Sequence, residues 1–215
     1  MIESATGIVL RTRPLTETSL IVHWLTPDLG RIATVAKGAR RPKSPFLGRL
    51  DLFYEADFSF SRSRHSDLHT LREAVLREMH GAIREDILKL SQAAYATALI
   101  EQATETETPL PAVFELLHGF LDCLCRQKPA AQLVFAFELK LLRELGLNPD
   151  LQKTNLTAGA KQIVRALLKG TWESSLHLKL TDAQATELRQ FLHGFLIFHL
   201  GRLPKGRGAA LPGKT

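Results

Sequence analysis

The hydrophobic pattern changes its period near residue 80, and this change constrains the fold more than any other feature of the sequence. Up to about residue 76, apolar residues recur at every second position between turn-forming residues, as half-buried strands require. Beyond Gly81 they recur at spacings of three and four, as in helices. The length of 215 residues suits two modest domains. The sequence therefore predicts an α+β protein with an all-β domain at residues 1–80 and an all-α domain at residues 81–203.

Five short runs with strand character precede residue 80. The first three, "TGIVLRTRP", "TSLIVHWLTP" and "RIATVAKG", are separated by turn signals, which indicates a three-stranded meander. In the fourth run, Leu50 to Phe60, apolar residues alternate with a mostly acidic face that includes Glu55 and Asp57. The fifth, "LHTLREAVL", fits a strand or the beginning of a helix equally well. Five short strands with glycine-containing turns predict a small barrel of the oligonucleotide-binding (OB) or SH3-like kind.

The helical half contains four long stretches with helical spacing. The third, "AAQLVFAFELKLLRELG", is apolar nearly all round, so we expect it to be central. The last begins with Thr181 and Gln184, which are placed as a capping box. Its predicted buried face consists of Ala185, Leu188, Leu192 and Phe195. The end of the chain, residues 204–215, is rich in Gly, Pro and cations, and we expect a disordered basic tail.

One segment combines high positive charge with an irregular backbone. "VAKGARRPKSPFLGRL", Val35 to Leu50, contains prolines, glycines and no acid. Most charge runs are solvated surfaces, but loops of a small barrel border the groove in which single strands lie. The net charge of +6 also favours polyanion partners. We therefore predict that these cations bind DNA phosphates: Lys37, Arg40, Arg41, Lys43 and Arg49, extended at other strand ends by Arg11, Arg13, Arg62 and Arg64.

Phe46 lies within this basic segment, and its ring fits two roles. It is either a platform on which a base stacks or an anchor that holds the loop in the barrel core. We favour the anchor. If DNA binds the barrel, it should avoid the acidic face of the fourth strand.

No pattern in the sequence indicates a catalytic or metal site. Cys123 and Cys125 are spaced as C-x-C without a second pair, and they point to different sides of a helix. The histidine pairs lack the spacing of H-E-x-x-H; they are His65 with His69 and His193 with His199. There is no nucleophile elbow, glycine fingerprint or carboxylate pair in a defined context. We expect a protein that is not an enzyme, with no metal, cofactor or small-molecule substrate.

The last eight residues, "GAALPGKT", match the letters of a Walker A loop. Such a loop needs a strand before its glycines and a helix after them, and the sequence predicts neither here. The N-terminus has no export signal, no stretch has the roughly 20 apolar residues that span a bilayer, and cysteines are few. We therefore expect a cytoplasmic protein that does not bind nucleotide through this motif.

Several segments together resemble the RecO family of bacterial recombination mediators. They are "GIVLRTRPLTETSLIV", "LTPDLGRIATVAKGARRPKS", "RHSDLHTLREA", "FELKLLRELGLNPDL" and "LRQFLHGFLIFHLGRLPK". The resemblance covers nearly the whole chain and implies an N-terminal OB fold followed by a helical domain. It also implies binding of single- and double-stranded DNA, annealing of complementary strands and, with RecR, loading of RecA onto strands coated by single-strand-binding protein (SSB) in the RecF pathway. No catalytic residue or cofactor comes with it.

The chain departs from the family at the segment "QKTNLTAGAKQIVRALL", where many members carry four zinc-ligand cysteines. None occurs here, so we predict that the zinc loop is deleted. The family's contact with the acidic, apolar-ended tail of SSB lies in the helical domain. Such a tail needs an apolar pocket with a basic rim, so Lys140 and Arg143 are candidates for partner binding. A protein-interaction adaptor with an incidentally basic barrel is the main alternative function, and a nucleotide-dependent enzyme is a further one.

Overall fold

The computed structural model describes residues 1–211, which form two compact units. The barrel unit contains Met1–Gly81 together with Thr104–His118, and the helical unit contains Ala82–Ala103 and the chain from Gly119 onward. The predicted domain boundary near residue 80 therefore differs from these two units in one respect. The segment from Thr104 to His118 follows a helix of the second unit in sequence, yet it belongs to the first.

Five strands close the barrel in the order β1-β2-β3-β5-β4. They are β1 (Ile2–Pro14), β2 (Leu20–Thr26), β3 (Gly30–Ala36), β4 (Glu55–Ser61) and β5 (Leu68–Glu78). All neighbours pair antiparallel except β3 and β5, which pair parallel over three residues from Ala33 to Val35. This is the arrangement of an OB fold, so the predicted OB barrel is confirmed, and the ambiguous fifth run is a strand.

Large side chains from alternating strand positions fill the barrel. Trp24 of β2 stacks on Phe58 of β4, with ring centroids 4.2 Å apart and an interplanar angle of 15°. The indole N–H of Trp24 donates to the buried hydroxyl of Thr34 at 2.9 Å. The polar atom of this buried ring is therefore satisfied inside the core, as burial of a tryptophan requires.

The fourth strand is shorter than its alternating pattern predicts. β4 begins at Glu55, and the preceding residues form turns in which Phe53 has a φ of 68° and is fully buried. A residue with positive φ ends the regular pleat, because a β-strand needs a strongly negative φ. Glu55, expected on the outer acidic face, is buried, and its carboxylate lies 2.8 Å from Nδ1 of His118.

Within residues 1–211, seven helices follow the barrel strands, after a short 3₁₀ turn at Gly81–Glu85. They are α1 (Ile87–Ala103), α2 (Pro111–Arg126), α3 (Ala131–Glu144), α4 (Ala158–Lys169), α5 (Trp172–Leu176), α6 (Asp182–Leu200) and α7 (Arg207–Ala210). Every residue of α3 from Leu133 to Leu142 is buried, which confirms its central position. The capping box of Thr181 and Gln184 is also present. Within residues 1–211, no helix has both the length and the apolar character needed to cross a membrane.

The inward face of α6 differs slightly from its prediction. Leu188 and Leu192 are buried as expected, and Leu196 joins them. Ala185 and Phe195 are only partly buried. The apolar side chains of α6 are therefore divided between the core and the surface.

The segment from Arg202 to Leu211, here called the C-terminal segment, is not the disordered tail that its composition predicts. Arg207 is buried, and its guanidinium donates to both carboxylate oxygens of Glu138 in α3, at 2.6 and 2.9 Å. The hydroxyl of Tyr95 donates to the same carboxylate at 2.6 Å. The expectation of disorder was wrong up to Leu211, because a buried acid elsewhere in the helical unit binds this arginine.

Candidate nucleic-acid interface

The loop between β3 and β4, residues 37–54, carries most of the predicted DNA-binding cations and is called the basic loop. Phe46 and Ala39 pack into the barrel core with exposed fractions of 7% and 8%. This confirms that Phe46 is an anchor and not a stacking platform. The backbone N–H of Arg40 donates to the carbonyl of Thr18 at 3.0 Å. The loop is therefore held in place by apolar anchors and by the turn between β1 and β2, although it lacks regular secondary structure.

The cations of the basic loop point into solvent. Within residues 1–211, the side chains of Lys37, Arg41 and Lys43 are exposed and make no hydrogen bond or ion pair. Arg40 donates to the carbonyl of Thr16 at 3.3 Å, and Arg49 donates to the carbonyl of Ala74 at 3.0 Å. A carbonyl orients a guanidinium without neutralising it. All five charges therefore remain available to an anion.

A second positive area lies on the outer surface of β1 and β2. Arg11 is paired in register with His23, and Arg13 with Ile21, so the two arginines flank the imidazole on one face of the sheet. Burial, followed by the charges of Arg11, Arg13 and Arg31, lowers the pKa of His23 to about 4. His23 is therefore neutral at physiological pH. The sequence predicted no role for His23, although this residue lies in the predicted second strand, next to the strand of Arg11 and Arg13.

The two arginines of the β4–β5 loop, residues 62–67, differ in their contacts with acidic side chains. The guanidinium of Arg62 donates to both carboxylate oxygens of Glu3, at 2.8 and 3.1 Å, and to Glu107 at 3.1 Å. The hydrogen bond with Glu3 is the main reason that the pKa of Arg62 is raised. Arg64 is exposed. Of the two, only Arg64 has no charge partner within residues 1–211. The acids that neutralise Arg62 were not predicted, because both are remote from it in sequence.

Lys140 and Arg143, the predicted partner-binding pair, belong to α3, and their side chains contact the C-terminal end of α4. The ammonium of Lys140 donates to the carbonyls of Gly170 at 2.6 Å and Leu168 at 3.4 Å, and Arg143 donates to Leu168 at 2.7 Å. Burial is the main cause of the lowered pKa of Lys140. Both side chains thus satisfy helix-end carbonyls, as cations near a helix C-terminus commonly do.

The remaining motifs fall outside the positive surface. Burial, followed by the charge of Glu173, raises the pKa of Cys123 to about 11, so its thiol is protonated. No three His, Cys, Asp or Glu side chains of residues 1–211 come together to hold a metal ion. The Gly-Lys-Thr end of the Walker-like motif lies outside the described residues.

Two family models match the chain in succession. The model "Recombination protein O N terminal" matches residues 1–80, and "Recombination protein O C terminal" matches residues 84–158. The second match ends at the beginning of α4, where the predicted zinc-loop deletion lies.

Three relatives illustrate the extent of the similarity, and each has the name "DNA repair protein RecO". The protein of Exiguobacterium sibiricum is 33% identical over 70% of this chain and 60% of its own length. That of Bacillus pumilus is 35% identical over 71% of this chain and 59% of its own length. That of Halalkalibacterium halodurans is 29% identical over 94% of this chain and 82% of its own length. The chain spans about three fifths of the length of most such relatives. Because both family models match in order and the barrel has the OB topology, the chain belongs to the recombination protein O family.

Proposed function

We propose that this protein is a DNA-binding mediator of DNA repair and recombination that is not an enzyme. One observation carries the proposal: the basic loop of a closed OB barrel holds exposed cations that no carboxylate within residues 1–211 neutralises. Fixed cations of this kind bind phosphates by releasing condensed counterions. They read no base edges, so the contact positions DNA without selecting a sequence. Family membership makes DNA under repair the polyanion that fits best.

Strand annealing follows from the same electrostatics. Two complementary strands repel one another through their phosphates, and a surface that neutralises part of this charge lowers the repulsion. Phosphates occur in single and double strands alike, so we propose binding to both. We also propose that the protein has the partners that family membership implies. It would act with RecR to load RecA onto SSB-coated strands in the RecF pathway. We propose that the protein acts in the cytoplasm, at the nucleoid.

The decisive experiment is a fluorescence-anisotropy titration with labelled single-stranded DNA at several salt concentrations. The triple variant Lys37→Ala, Arg41→Ala, Lys43→Ala should bind more weakly to every sequence. Its salt slope should fall by about two units, at roughly 0.7 for each lost contact with a single strand. The control, Lys128→Ala, Lys169→Ala, Lys179→Ala, removes the same charge from exposed positions of the helical unit. A slope that drops equally in both variants would remove the basic loop from the DNA site.

The same titration separates the two rival functions. An adaptor with an incidentally basic barrel predicts no DNA binding by the unmodified protein at moderate salt. A nucleotide-dependent enzyme predicts DNA binding that changes when ATP is added. Tight, salt-dependent and ATP-independent binding rejects both.

For the SSB tail, we propose a pocket of about 570 Å³ between α6 and the C-terminal segment instead of the surface around Lys140 and Arg143. Leu203, Pro204 and Leu211 provide apolar lining, and Arg189 and His193 of α6 also line it. An acidic peptide with an apolar end complements such a pocket.

A labelled acidic peptide ending in an apolar residue tests this assignment. Leu203→Glu should weaken its binding by about tenfold or more, since it places a like charge in the apolar lining against the peptide. Arg143→Ala should leave the affinity unchanged. The opposite ranking of the two variants would return the site to α3.

A further inference from the structure

The segment that joins α1 to α2, Thr104–Pro109, lies along an edge of the barrel and is called the linker. β3 pairs with β5 only from Ala33 to Val35, so its first residues lack a strand partner on that side. The linker fills this edge through a parallel bridge between Arg31 and Thr106. The backbone N–H of Glu107 donates to the carbonyl of Arg31 at 2.9 Å. The linker therefore continues the sheet where β5 does not reach.

The backbone of the linker lies in close contact with the backbone of β3 at Gly30. Gly30 has a φ of 68°, and a Cβ atom at this position would lie 2.1 Å from the carbonyl oxygen of Thr108. Only glycine fits at such a contact. Glu107 itself has a φ of 53°, a conformation that a non-glycine residue adopts only where its surroundings enforce it. The backbone of the linker is thus fixed relative to β3.

The carboxylate of Glu107 connects this fixed backbone to the β4–β5 loop. Its Oε1 atom accepts from Arg62 at 3.1 Å and lies 3.0 Å from Nε2 of His69, which is buried at the beginning of β5. The Nδ1 atom of His69 accepts from the backbone N–H of Ser63 at 3.3 Å, which places the ring hydrogen on Nε2, toward Glu107. One oxygen therefore holds both ends of the β4–β5 loop.

We propose that Glu107 is a positioning residue for DNA binding, and that the linker orders the β4–β5 loop before DNA arrives. The inference rests on the proposed function. In OB folds this loop borders the face on which nucleic acid lies, and here it carries the exposed Arg64. A loop ordered in advance loses less conformational entropy on binding.

The sign of one mutational effect distinguishes positioning from simple electrostatics. A carboxylate near a DNA surface repels phosphate, so removal of its charge alone strengthens binding. Removal of a positioning residue weakens binding despite the gain in charge. Glu105 provides the matched control, because it is exposed in the same linker and makes neither of the bonds of Glu107.

The test compares three variants by anisotropy with labelled single-stranded DNA and by hydrogen exchange of the β4–β5 loop. Glu107→Ala should weaken DNA binding by about fivefold or more, the effect of ordering at least one additional residue on binding. Exchange in residues 62–67 should accelerate. Glu107→Gln keeps an oxygen acceptor for Arg62 and His69, so it should restore wild-type or tighter binding and slow exchange. Glu105→Ala should bind at least as tightly as the unmodified protein.

Two results would overturn the inference. One is Glu107→Ala binding DNA as tightly as Glu105→Ala, and the other is Glu107→Gln losing as much affinity as Glu107→Ala. If Glu107→Ala does not fold, Glu107→Asp replaces it, because it keeps the charge but is one methylene too short to reach both partners. An Asp variant with wild-type affinity would equally reject positioning. Failure of the unmodified protein to bind DNA would instead reject the proposed function.

Discussion

The basic loop and the C-terminal segment have similar compositions but hold their cations in opposite ways. Both are rich in Gly, Pro, Lys and Arg. In the basic loop, Lys37, Arg41 and Lys43 face solvent. In the C-terminal segment, Arg207 has an exposed fraction of 8% and is bound to Glu138, which is fully buried. The same residue type is thus available to a polyanion in one segment and is part of the core in the other.

The difference comes from residues far away in sequence. Glu138 lies 69 positions before Arg207, in the part of α3 where every residue from Leu133 to Leu142 is buried. An unpaired carboxylate at this depth is very unfavourable, so an arginine must come to it. Burial opposes the charged form of Arg207, but its hydrogen bond and attraction to Glu138 outweigh this and raise its pKa. Within the described residues, the cations of the basic loop meet no such acid. The cations of a basic, irregular segment are therefore available to an external anion only where the fold offers no internal one.

The largest expected effect comes from the same substitution in the two segments. Arg207→Met should lower the free energy of unfolding by about 3–5 kcal/mol, because it leaves Glu138 buried without its cation. Arg41→Met should change it by no more than about 0.5 kcal/mol, because the side chain is exposed. Urea denaturation measures both values.

A double substitution tests whether the loss of stability comes from the uncompensated charge of Glu138. Replacement of both partners, Arg207→Met with Glu138→Leu, should recover much of the lost stability, since the uncompensated charge is then gone. If Arg207→Met is as mild as Arg41→Met, then the ion pair does not hold the C-terminal segment.

A smaller effect is expected at Arg62, whose side chain is intermediate in exposure between these extremes. Its hydrogen bond and charge lower the pKa of Glu3, so this pair stabilises the fold above about pH 4.5 and loses its effect as the pH falls through the lowered pKa. The side chain of Arg62 is 34% exposed, so the contribution should stay below about 1 kcal/mol. Glu3→Gln should remove this part of the acid dependence in a comparison of unfolding at pH 7 and pH 3. An unchanged acid dependence in that variant would show that the pair contributes nothing.

The sequence predicted the elements with strong periodicity and missed those that depend on remote contacts. The change of period predicted the barrel and the helices, and the capping box of Thr181 and Gln184 predicted the beginning of α6. The fourth strand was predicted too long, because alternation does not reveal the positive φ of Phe53. The cations of the basic loop were predicted to bind DNA from charge and strand position alone, and that role stays a prediction. Local patterns contain that information, since side-chain periodicity reflects each element's own geometry.

The sequence by itself determined that a barrel precedes a helical domain, that the basic loop is irregular and positive, and that a family resemblance covers nearly the whole chain. Only the tertiary structure decided which cations are compensated. In the structure, Arg62 is paired with Glu3 and Glu107, and Arg207 is buried against Glu138. The side chains of Lys37, Arg41 and Lys43 face solvent. The physical reason is that charge compensation depends on distances of a few ångströms between residues tens of positions apart. No local pattern in the sequence encodes such distances.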